Sequence, residues 1–299
     1  MLKRLNIYFK EMYPIIPRLF LGALIFSEIY FIILLNSGVT DFNIGIQEFI
    51  CAFTVFSFLC WLRIADDFKD YELDCRLFAS RPLPSGRVTK RDLKIFVSIL
   101  ITVTLLLNLI FMNNFVFCLI LYTYGTLMAL WFFQKNKIQK SLPTALVTHN
   151  PVQMIMNIYI ISFAVIKYHI PAISLPNIMA AFTLYFPALI WEVARKIRAP
   201  KDETEYVTYS KLFGYKKSVN FIAFVTLLDI FTNFVLVWNL NKLSIILLSL
   251  NVLWMMYKFH KFKQNPESFK LVDAVEKYTY IQEMIMILTI AAFLLFGKV

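Results

Sequence analysis

Apolar runs of about 20 residues recur along this chain, and no other feature of the sequence restricts its fold so strongly. Each run is long enough to cross the roughly 30 Å of hydrocarbon in a bilayer as an α-helix. Segments with the alternation of a lipid-facing β-barrel do not dominate, so helices remain the way to satisfy the backbone in lipid. The sequence therefore predicts an all-α, polytopic membrane protein, and the 59% apolar composition agrees with that class.

The apolar windows predict nine membrane-spanning helices. These lie near 17–36, 47–64, 95–111, 113–134, 143–166, 172–194, 218–238, 241–257 and 279–297. The first long run lacks a small-residue cleavage site and leads into further spans, which indicates a retained helix rather than a signal peptide. No linker or low-complexity segment separates the runs, so we expect residues 1–299 to form a single transmembrane domain.

Basic residues are distributed very unevenly between the two sides of the predicted bundle. All but three of the 30 Lys and Arg residues fall in the amino-terminal segment or around the loops after even-numbered helices; the exceptions are Lys167, Lys242 and Lys298. By the positive-inside rule, the amino terminus and those loops face the cytoplasm, and a bacterial inner membrane is expected. The net charge of +11 follows from this topology and from attraction to anionic lipid, so no nucleic-acid partner is predicted.

A first polar cluster follows the second predicted helix and is rich in carboxylates. Around a continuing helix, Asp66, Asp67, Asp70 and Asp74 fall at about 0°, 100°, 40° and 80°, inside one arc. Like charges so placed repel one another unless a cation compensates them. Carboxylates on one helix face suit Mg²⁺, which takes one or two of them and completes its shell with water and substrate phosphate. The alternative is an ordinary solvated face at a helix end.

The same segment carries a specific family resemblance. It contains Asp66-Asp67-x-x-Asp70-x-x-x-Asp74 followed by Arg81-Pro82-Leu83-Pro84-Ser85-Gly86. This pattern resembles the NDxxDxxxD and RPLPSG motifs of the UbiA superfamily of prenyltransferases, with Asp66 in place of the usual Asn. Nine helices with charged loops after helices two and six also resemble that family, over essentially the whole chain. The resemblance implies a nine-transmembrane-helix bundle of the UbiA prenyltransferase type.

A second polar cluster stands at the end of the sixth predicted helix. Glu192 lies three residues before Arg195 and four before Lys196, and helical side chains at these spacings can touch. Pro200 is expected to end or kink the helix and to push Ala199 toward extended geometry. A carboxylate so close to an apolar run should be paired or functional, because an unpaired charge there is costly.

In the family, the second motif at this place is DxxxD, and this chain departs from it. Glu192, Asp202 and Glu203 are the candidate oxygens, at a different spacing. The departure puts the usual handling of the substrate in doubt. In the alternative interpretation, Glu192 only pairs with Lys196, and 201–205 is a solvated loop.

What the resemblance implies is a Mg²⁺-dependent enzyme. It would transfer a prenyl group from a polyprenyl diphosphate to a small lipophilic acceptor, of aromatic type, within the membrane. Two acidic clusters facing each other would hold Mg²⁺ against the diphosphate while the allylic carbon–oxygen bond ionises. The implied catalytic residues are Asp67, Asp70 and Glu192, and the implied metal ligands are Asp66, Asp67, Asp70, Asp74, Glu192 and Asp202. The implied diphosphate-binding residues are Arg63, Lys69, Arg81, Arg195 and Lys196.

Two other functions fit the same sequence. The altered second motif also suits a UbiA-type terpene cyclase, which ionises the same substrate and quenches the cation internally. The other alternative is a non-enzymatic transporter or permease, because buried acidic residues can line an ion path. In that case Glu28, Glu192 and Asp229 would be the residues most important for function. A CDP-alcohol phosphotransferase is set aside, since its glycine- and alanine-spaced signature is missing from the first cluster.

Several further polar residues lie within the predicted spans. They are Glu28, His149, Asn150, Asp229 and Asn233. Ionisable groups at membrane depth are functional candidates, but we favour hydrogen bonding between helices as their role. A local helix break is expected where Pro151 follows His149 and Asn150.

Overall fold

The structure is a computed structural model that describes residues 1–203 and 207–297. Within these residues the chain is helical and contains no strand. Eight helical segments of the described chain are long and apolar enough to cross a membrane, two of them (Leu142–Tyr168 and Leu175–Ala194) made of two consecutive helices, and another apolar helix is shorter. The predicted all-α, polytopic membrane class is confirmed. Lys298, one of the three basic residues assigned to the opposite side, lies outside the described residues.

The chain divides into two compact units, each assembled from separate stretches of sequence. The first comprises Met1–Tyr30, Asp41–Lys135 and Ser162–His169, and the second comprises Phe31–Thr40, Asn136–Ile161 and Ile170–Val299. The single domain over 1–299 stays a prediction.

The first unit is organised around one long helix, α3. Its helices are α1 (Leu2–Glu11), α2 (Ile15–Asn36, as far as Tyr30), α3 (Ile46–Lys69), α4 (Tyr71–Leu77), α5 (Lys90–Phe111) and α6 (Phe115–Ala129). Both α5 and α6 pack against α3. Helix α1 is too short to span a bilayer, and its buried Leu5 and Tyr8 join Cys60 and Ile64 of α3 in the core of this unit.

The remaining helices belong wholly or mainly to the second unit. They are α7 (Lys135–Ile138), α8 (Leu142–His149), α9 (Pro151–Tyr168), α10 (Leu175–Thr183), α11 (Tyr185–Ala194), α12 (Tyr209–Phe213), α13 (Tyr215–Val237), α14 (Lys242–Gln264) and α15 (Leu271–Phe296). Helix α13 is central here, because α10, α11, α12 and α14 all pack against it. The chain therefore places the second polar cluster, at the end of α11, next to the central helix of its unit.

Two of the predicted spans are each built from two shorter helices, and both interruptions lie near a proline. The predicted helix 143–166 is divided at Asn150, directly before Pro151, as expected from the sequence. The predicted helix 172–194 is divided at Leu184, three residues before Pro187. A proline lacks the backbone N–H and its ring clashes with the carbonyl four residues earlier, which weakens the helix at that point.

Gly22 allows α2 to approach α3 closely. A β-carbon built on Gly22 would lie 3.0 Å from both the Cβ atom and the backbone nitrogen of Phe56. Small residues at helix contacts are typical of membrane proteins, where close approach of backbones supplies packing energy. Gly22 is therefore a packing position that no larger side chain can fill without moving α3.

We expect Gly22→Val to lower the free energy of unfolding by about 2 kcal/mol, because the added atoms must displace α3. The measurement is thermal unfolding of the purified protein in detergent. Ala23→Val is the matched control, since Ala23 is exposed on the same helix and the cost of a β-branched residue in a helix is the same. Equal melting temperatures for the two variants would contradict the close approach.

Candidate active site

The first acidic cluster lies at the end of α3, and the helix does not continue through it in one piece. Helix α3 ends at Lys69, Asp70 has φ −101° and ψ 10°, and α4 begins at Tyr71. The prediction of one continuous helix is wrong, although the Asp70 N–H still donates to the Asp66 carbonyl at 2.9 Å. The break separates the carboxylate of Asp74 from the other three along the chain.

Two of the four carboxylates are buried and held by arginine. Asp67 is 4% exposed, pairs with Arg63 at 2.8 Å and accepts a hydrogen bond from the Tyr8 hydroxyl at 2.6 Å. Asp74 is 7% exposed, and each of its oxygens accepts a hydrogen bond from Arg81 Nη1 at 2.9 Å. In each pair a predicted diphosphate-binding arginine neutralises a predicted metal ligand.

The other two carboxylates, Asp66 and Asp70, are accessible. They are four residues apart and, through the helical hydrogen bond between them, lie on the same side of the helix end. Loss of hydration raises the pKa of Asp70; the charge of Lys69 opposes this shift and the charge of Asp74 adds to it. Asp70 is therefore accessible but partly surrounded by protein.

These accessible carboxylates fit the needs of Mg²⁺. That ion commonly binds through one or two carboxylates and takes the rest of its shell from water and substrate phosphate. Among the described residues, no group of three or more His, Cys, Asp or Glu side chains is placed to hold a metal ion. Asp66 and Asp70 would accordingly supply only part of the shell, and water or a phosphate group would complete it.

Lys69 contacts a strained aromatic turn. Its ammonium lies 3.7 Å from the centroid of the Trp131 ring, in cation–π contact. The three residues of Trp131–Phe133 have φ between 49° and 58°, a left-handed conformation that costs roughly 1–3 kcal/mol for each non-glycine residue. This turn follows the end of α6 at Ala129, so the predicted helix 113–134 is shorter than expected. Strain of this kind is concentrated at functional sites.

Sequence reasoning missed two residues of this region. Tyr8 bonds to Asp67 across 59 positions, and no signal in the sequence pairs a residue of a short leading helix with this carboxylate. Lys135 lies near enough to Asp70 for its charge to lower the pKa of that carboxyl. Lys135 could have been found, because it is the first basic residue of the loop after the fourth predicted helix.

The hydroxyl of Tyr8 is a positioning group for Asp67. Burial raises the pKa of Tyr8, and the charge of Asp67 raises it further, so the phenol keeps its proton and remains the donor at neutral pH. It thereby restricts the orientation of a carboxylate that also holds Arg63. Groups that orient a ligand or a charged residue in this way typically contribute one to two orders of magnitude to function.

In the enzyme that the resemblance implies, we expect Tyr8→Phe to lower kcat/KM for the prenyl diphosphate about tenfold, with little effect on folding, because only one oriented hydrogen bond is lost. Steady-state kinetics of diphosphate release measure this. Tyr13→Phe serves as the control, since the Tyr13 hydroxyl is also buried but donates to the backbone carbonyl of Phe56 at 3.3 Å. A comparable loss in both variants would remove the specific role of Tyr8.

The second cluster is a local group of ion pairs at the end of α11. Arg195 contacts one oxygen of Glu192 at 2.6 Å, and Lys196 contacts the other at 2.8 Å. The contacts predicted at three- and four-residue spacing are therefore confirmed. Ala199 has extended geometry, with φ −65° and ψ 152°, as predicted for a residue before proline, but α11 already ends at Ala194.

The other candidate oxygens of the second motif have separate surroundings. Both oxygens of Glu203 accept from the Thr208 hydroxyl, at 2.9 and 2.8 Å. Asp202 lines a cavity whose other charged lining residues are Arg195, Arg198 and Lys270, and the rest of that lining is apolar. Residues 204 and 205 of the loop 201–205 lie outside the described residues. A metal-binding role for Glu192 and Asp202 stays a prediction.

Polar residues within the spans of the second unit bond between helices. Asp229 of α13 accepts from the Tyr278 hydroxyl at 3.0 Å and from the Gln282 amide at 3.1 Å, both on α15. Asn233 accepts from the Thr183 hydroxyl of α10 at 2.8 Å. The favoured interpretation, hydrogen bonding between helices, is confirmed for Asp229 and Asn233.

Comparison with known proteins agrees with the predicted fold. The model of the UbiA prenyltransferase family matches residues 25–271. A solved structure of a digeranylgeranylglyceryl phosphate synthase in membranes is similar over 99% of this chain and 99% of that chain, with a TM-score of 0.66 and 18% sequence identity. At that identity the similarity is one of fold. No curated protein matches the sequence.

Proposed function

Because this chain belongs to the UbiA prenyltransferase family and is a prenyltransferase of the membrane, we propose that it transfers the prenyl group of a polyprenyl diphosphate to a small lipophilic acceptor of aromatic type. The observation that carries the proposal is the end of α3, where accessible Asp66 and Asp70 lie near the charge of Lys69. Mg²⁺ is the proposed cofactor, held by these two carboxylates; when bound, it stabilises negative charge on a phosphate group.

The basic residues of the first unit have a defined part in this proposal. Lys69 is held by the Trp131 ring, while Arg63 and Arg81 are held by Asp67 and Asp74. A guanidinium that is paired with one carboxylate has further N–H groups, and donors fixed in advance can stabilise the charge that develops on the departing diphosphate without reorganising during the reaction. Neutralisation of this kind is stronger in a water-poor site than in bulk water.

An apolar cavity in the second unit suits a lipophilic group. Its volume is about 390 Å³, and its lining includes Leu146, Val193, Phe213 and Phe221. Val193 directly follows Glu192, so the cavity adjoins the second polar cluster in the chain. We infer that isoprene units or the apolar part of the acceptor occupy this cavity.

The test of the proposed function is diphosphate release by the purified protein. Farnesyl, geranylgeranyl and longer prenyl diphosphates are offered with an acceptor panel, with Mg²⁺ and with chelator. The panel includes aromatic acceptors and a glyceryl phosphate lipid, because the similar solved structure is of a synthase named for a product of that kind. Mg²⁺-dependent release together with a prenylated acceptor is expected; no release from any donor would contradict the proposal.

The same assay separates the two alternatives. Release without any acceptor, accompanied by a cyclic hydrocarbon product, would indicate a terpene cyclase. A transporter predicts ion flux in liposomes that survives Asp67→Asn and Asp70→Asn and is lost when Glu28, Glu192 or Asp229 is replaced. The transferase predicts the opposite order, because the charges at the end of α3 are those that meet the diphosphate.

We also infer that the amino terminus and both charged loops face the cytoplasm of a bacterial inner membrane. The uneven distribution of Lys and Arg supports this orientation. It would give the active site access to water-borne diphosphate head groups from the cytoplasmic side, while the prenyl chain stays in lipid.

A further inference from the structure

A dense group of basic residues lies on α1 and the first two turns of α5, outside the proposed active site. Lys90 is held by the Tyr71 ring, with its ammonium 3.4 Å from the ring centroid. The α1–α5 basic surface consists of the four exposed residues Lys3, Lys10, Arg91 and Lys94. All four belong to the first unit, and they are separate from the predicted diphosphate-binding set.

Helix α1 is fixed against the start of α5 by polar and aromatic contacts. The guanidinium of Arg4 donates two hydrogen bonds to the Asp92 carboxylate, at 2.6 and 2.9 Å. About one turn further along both helices, the ring centroids of Phe9 and Phe96 are 4.9 Å apart. The basic surface is therefore carried by two helices that lie side by side.

The carboxylates of this region are neutralised by arginines outside the basic surface. Helix α1 and the first turns of α5 contain two acidic residues, Glu11 and Asp92. Asp92 pairs with Arg4, and Glu11 accepts from Arg87 Nη2 at 2.8 Å. No ion pair of the described residues includes a member of the basic surface. Its positive charges are therefore available to an anionic partner.

The exposed side of α5 places two of these charges at the edge of the apolar part of the membrane. Arg91, Ile95, Ile99 and Val103 follow one another at four-residue spacing, so they lie along one side of the helix. The three apolar residues of this row are exposed. Because α5 is long and apolar enough to cross the membrane, this side faces lipid. Arg91 and the neighbouring Lys94 then lie one turn or less from the first lipid-facing residue, at the level of the head groups.

Helix α1 has the character of a helix that lies in the membrane interface. Lys3 and Lys10 are seven residues apart on its exposed side, whereas Leu5 and Tyr8 are buried on the opposite side. The exposed Leu2 next to Lys3 adds an apolar contact. Cations and apolar side chains on one short helix are typical of binding to anionic lipid surfaces.

We propose that the α1–α5 basic surface binds the head group of an anionic phospholipid. The planar guanidinium of Arg91 can donate two parallel hydrogen bonds to phosphate oxygens, and the Lys94 ammonium adds a mobile point charge. The exposed Ile95 and Ile99 offer contacts to the acyl chains of the same molecule, which a soluble phosphate compound lacks. The proposal does not depend on the transfer reaction.

The test measures lipid binding by the full-length protein in detergent, without Mg²⁺ and without prenyl diphosphate. The protein is titrated with phosphatidylglycerol, and native mass spectrometry counts the lipids that each molecule retains. Phosphatidylcholine with the same acyl chains is the reference, because its head group has no net charge. Tighter retention of phosphatidylglycerol is expected, and equal retention of the two lipids would overturn the proposal.

The variant that tests the site is Arg91→Gln with Lys94→Gln. We expect it to bind phosphatidylglycerol about 25-fold more weakly, since each basic residue near a charged lipid surface contributes roughly a factor of five. Binding of phosphatidylcholine should stay unchanged. Arg91→Lys with Lys94→Arg keeps both charges and guards against misfolding, and its binding is expected to stay within about threefold of the original. An equal loss in the charge-keeping variant would overturn the proposal.

The matched control is Lys261→Gln with Lys277→Gln. Both residues are exposed, on α14 and α15 of the second unit, so this variant removes the same net charge away from the basic surface. Its binding of phosphatidylglycerol is expected to stay within about twofold of the original. A loss as large as that of Arg91→Gln with Lys94→Gln would mean that the lipid responds to net charge alone, and would overturn the site.

Discussion

Asp70→Asn is expected to reduce the proposed Mg²⁺-dependent diphosphate release about 100-fold or more, because it removes one of the two accessible carboxylates that would hold the Mg²⁺ ion against the diphosphate. The side chain keeps its size, and Asp70 is exposed at the break between α3 and α4, so the fold should survive. The measurement is the initial rate of diphosphate release at saturating prenyl diphosphate over a series of Mg²⁺ concentrations. A rate that recovers at high Mg²⁺ would identify weakened metal binding as the cause.

Glu72→Gln is the control for this experiment. Glu72 is an exposed acid two residues further along, so its replacement removes the same formal charge outside the predicted metal set. We expect its rate to stay within about twofold of the original, as is usual for an exposed charge change away from the reacting groups. Equal rates for Asp70→Asn and the original protein would remove the first cluster from the mechanism.

Asp67→Asn is a less direct probe of the same cluster. Its carboxylate is buried against Arg63 and Tyr8, so the substitution leaves a guanidinium without its full counter-charge. Truncating one partner of a buried pair is strongly destabilising. A loss of activity in this variant would combine chemistry with folding, which is why Asp70 carries the main prediction.

Asp229→Ala is expected to lower the free energy of unfolding by about 2–4 kcal/mol, the largest effect on stability that we predict. The Asp229 carboxylate accepts three hydrogen bonds: from the Tyr278 hydroxyl at 3.0 Å, from the Gln282 amide at 3.1 Å and from the Asn233 amide at 3.2 Å. All four residues are fully buried. Removing the carboxylate leaves the buried donors of Tyr278 and Gln282 to find other partners or stay unpaired, while the Asn233 amide keeps its hydrogen bond to the backbone carbonyl of residue 229 at 3.1 Å.

Thermal unfolding in detergent measures this effect, and Asp229→Asn is the graded comparison. The amide keeps one acceptor oxygen, so we expect it to lose about half as much stability as the alanine variant. Diphosphate release per folded molecule should remain close to the original value for Asp229→Asn. Unchanged stability combined with lost ion flux in liposomes would instead support the transporter.

The two expectations separate residues that look alike in the sequence. Asp70 and Asp229 are both acids in or next to apolar segments, and both are candidates for function on that ground alone. One is accessible at a helix end, and the other is enclosed by three donors between helices. Accessibility to a ligand is the property that distinguishes a carboxylate that can hold a metal ion from one that holds helices together.

Much of this protein could be predicted from the sequence because the relevant signals are local. A run of 20 apolar residues must be a helix in lipid whatever surrounds it, so the helical class followed from single segments. The helix interruption before Pro151 was predicted from that proline, whereas the interruption near Pro187 was found only in the structure. The contacts of Glu192 with Arg195 and Lys196 depend only on spacing along a helix. The first acidic motif pointed to the family by its residue pattern.

Tertiary structure decided which of the predicted site residues are free to act. Three contacts depend on segments that meet only after folding. They are the hydrogen bond from Tyr8 to Asp67, the ion pair of Arg81 with Asp74 and the contact of Lys69 with Trp131. A helical wheel shows one segment without the segments that pack against it, so it treats the four aspartates Asp66, Asp67, Asp70 and Asp74 as equivalent. In the structure, packing against other segments buries Asp67 and Asp74 beside arginines and leaves Asp66 and Asp70 exposed. The spacing of residues within one segment does not encode this packing.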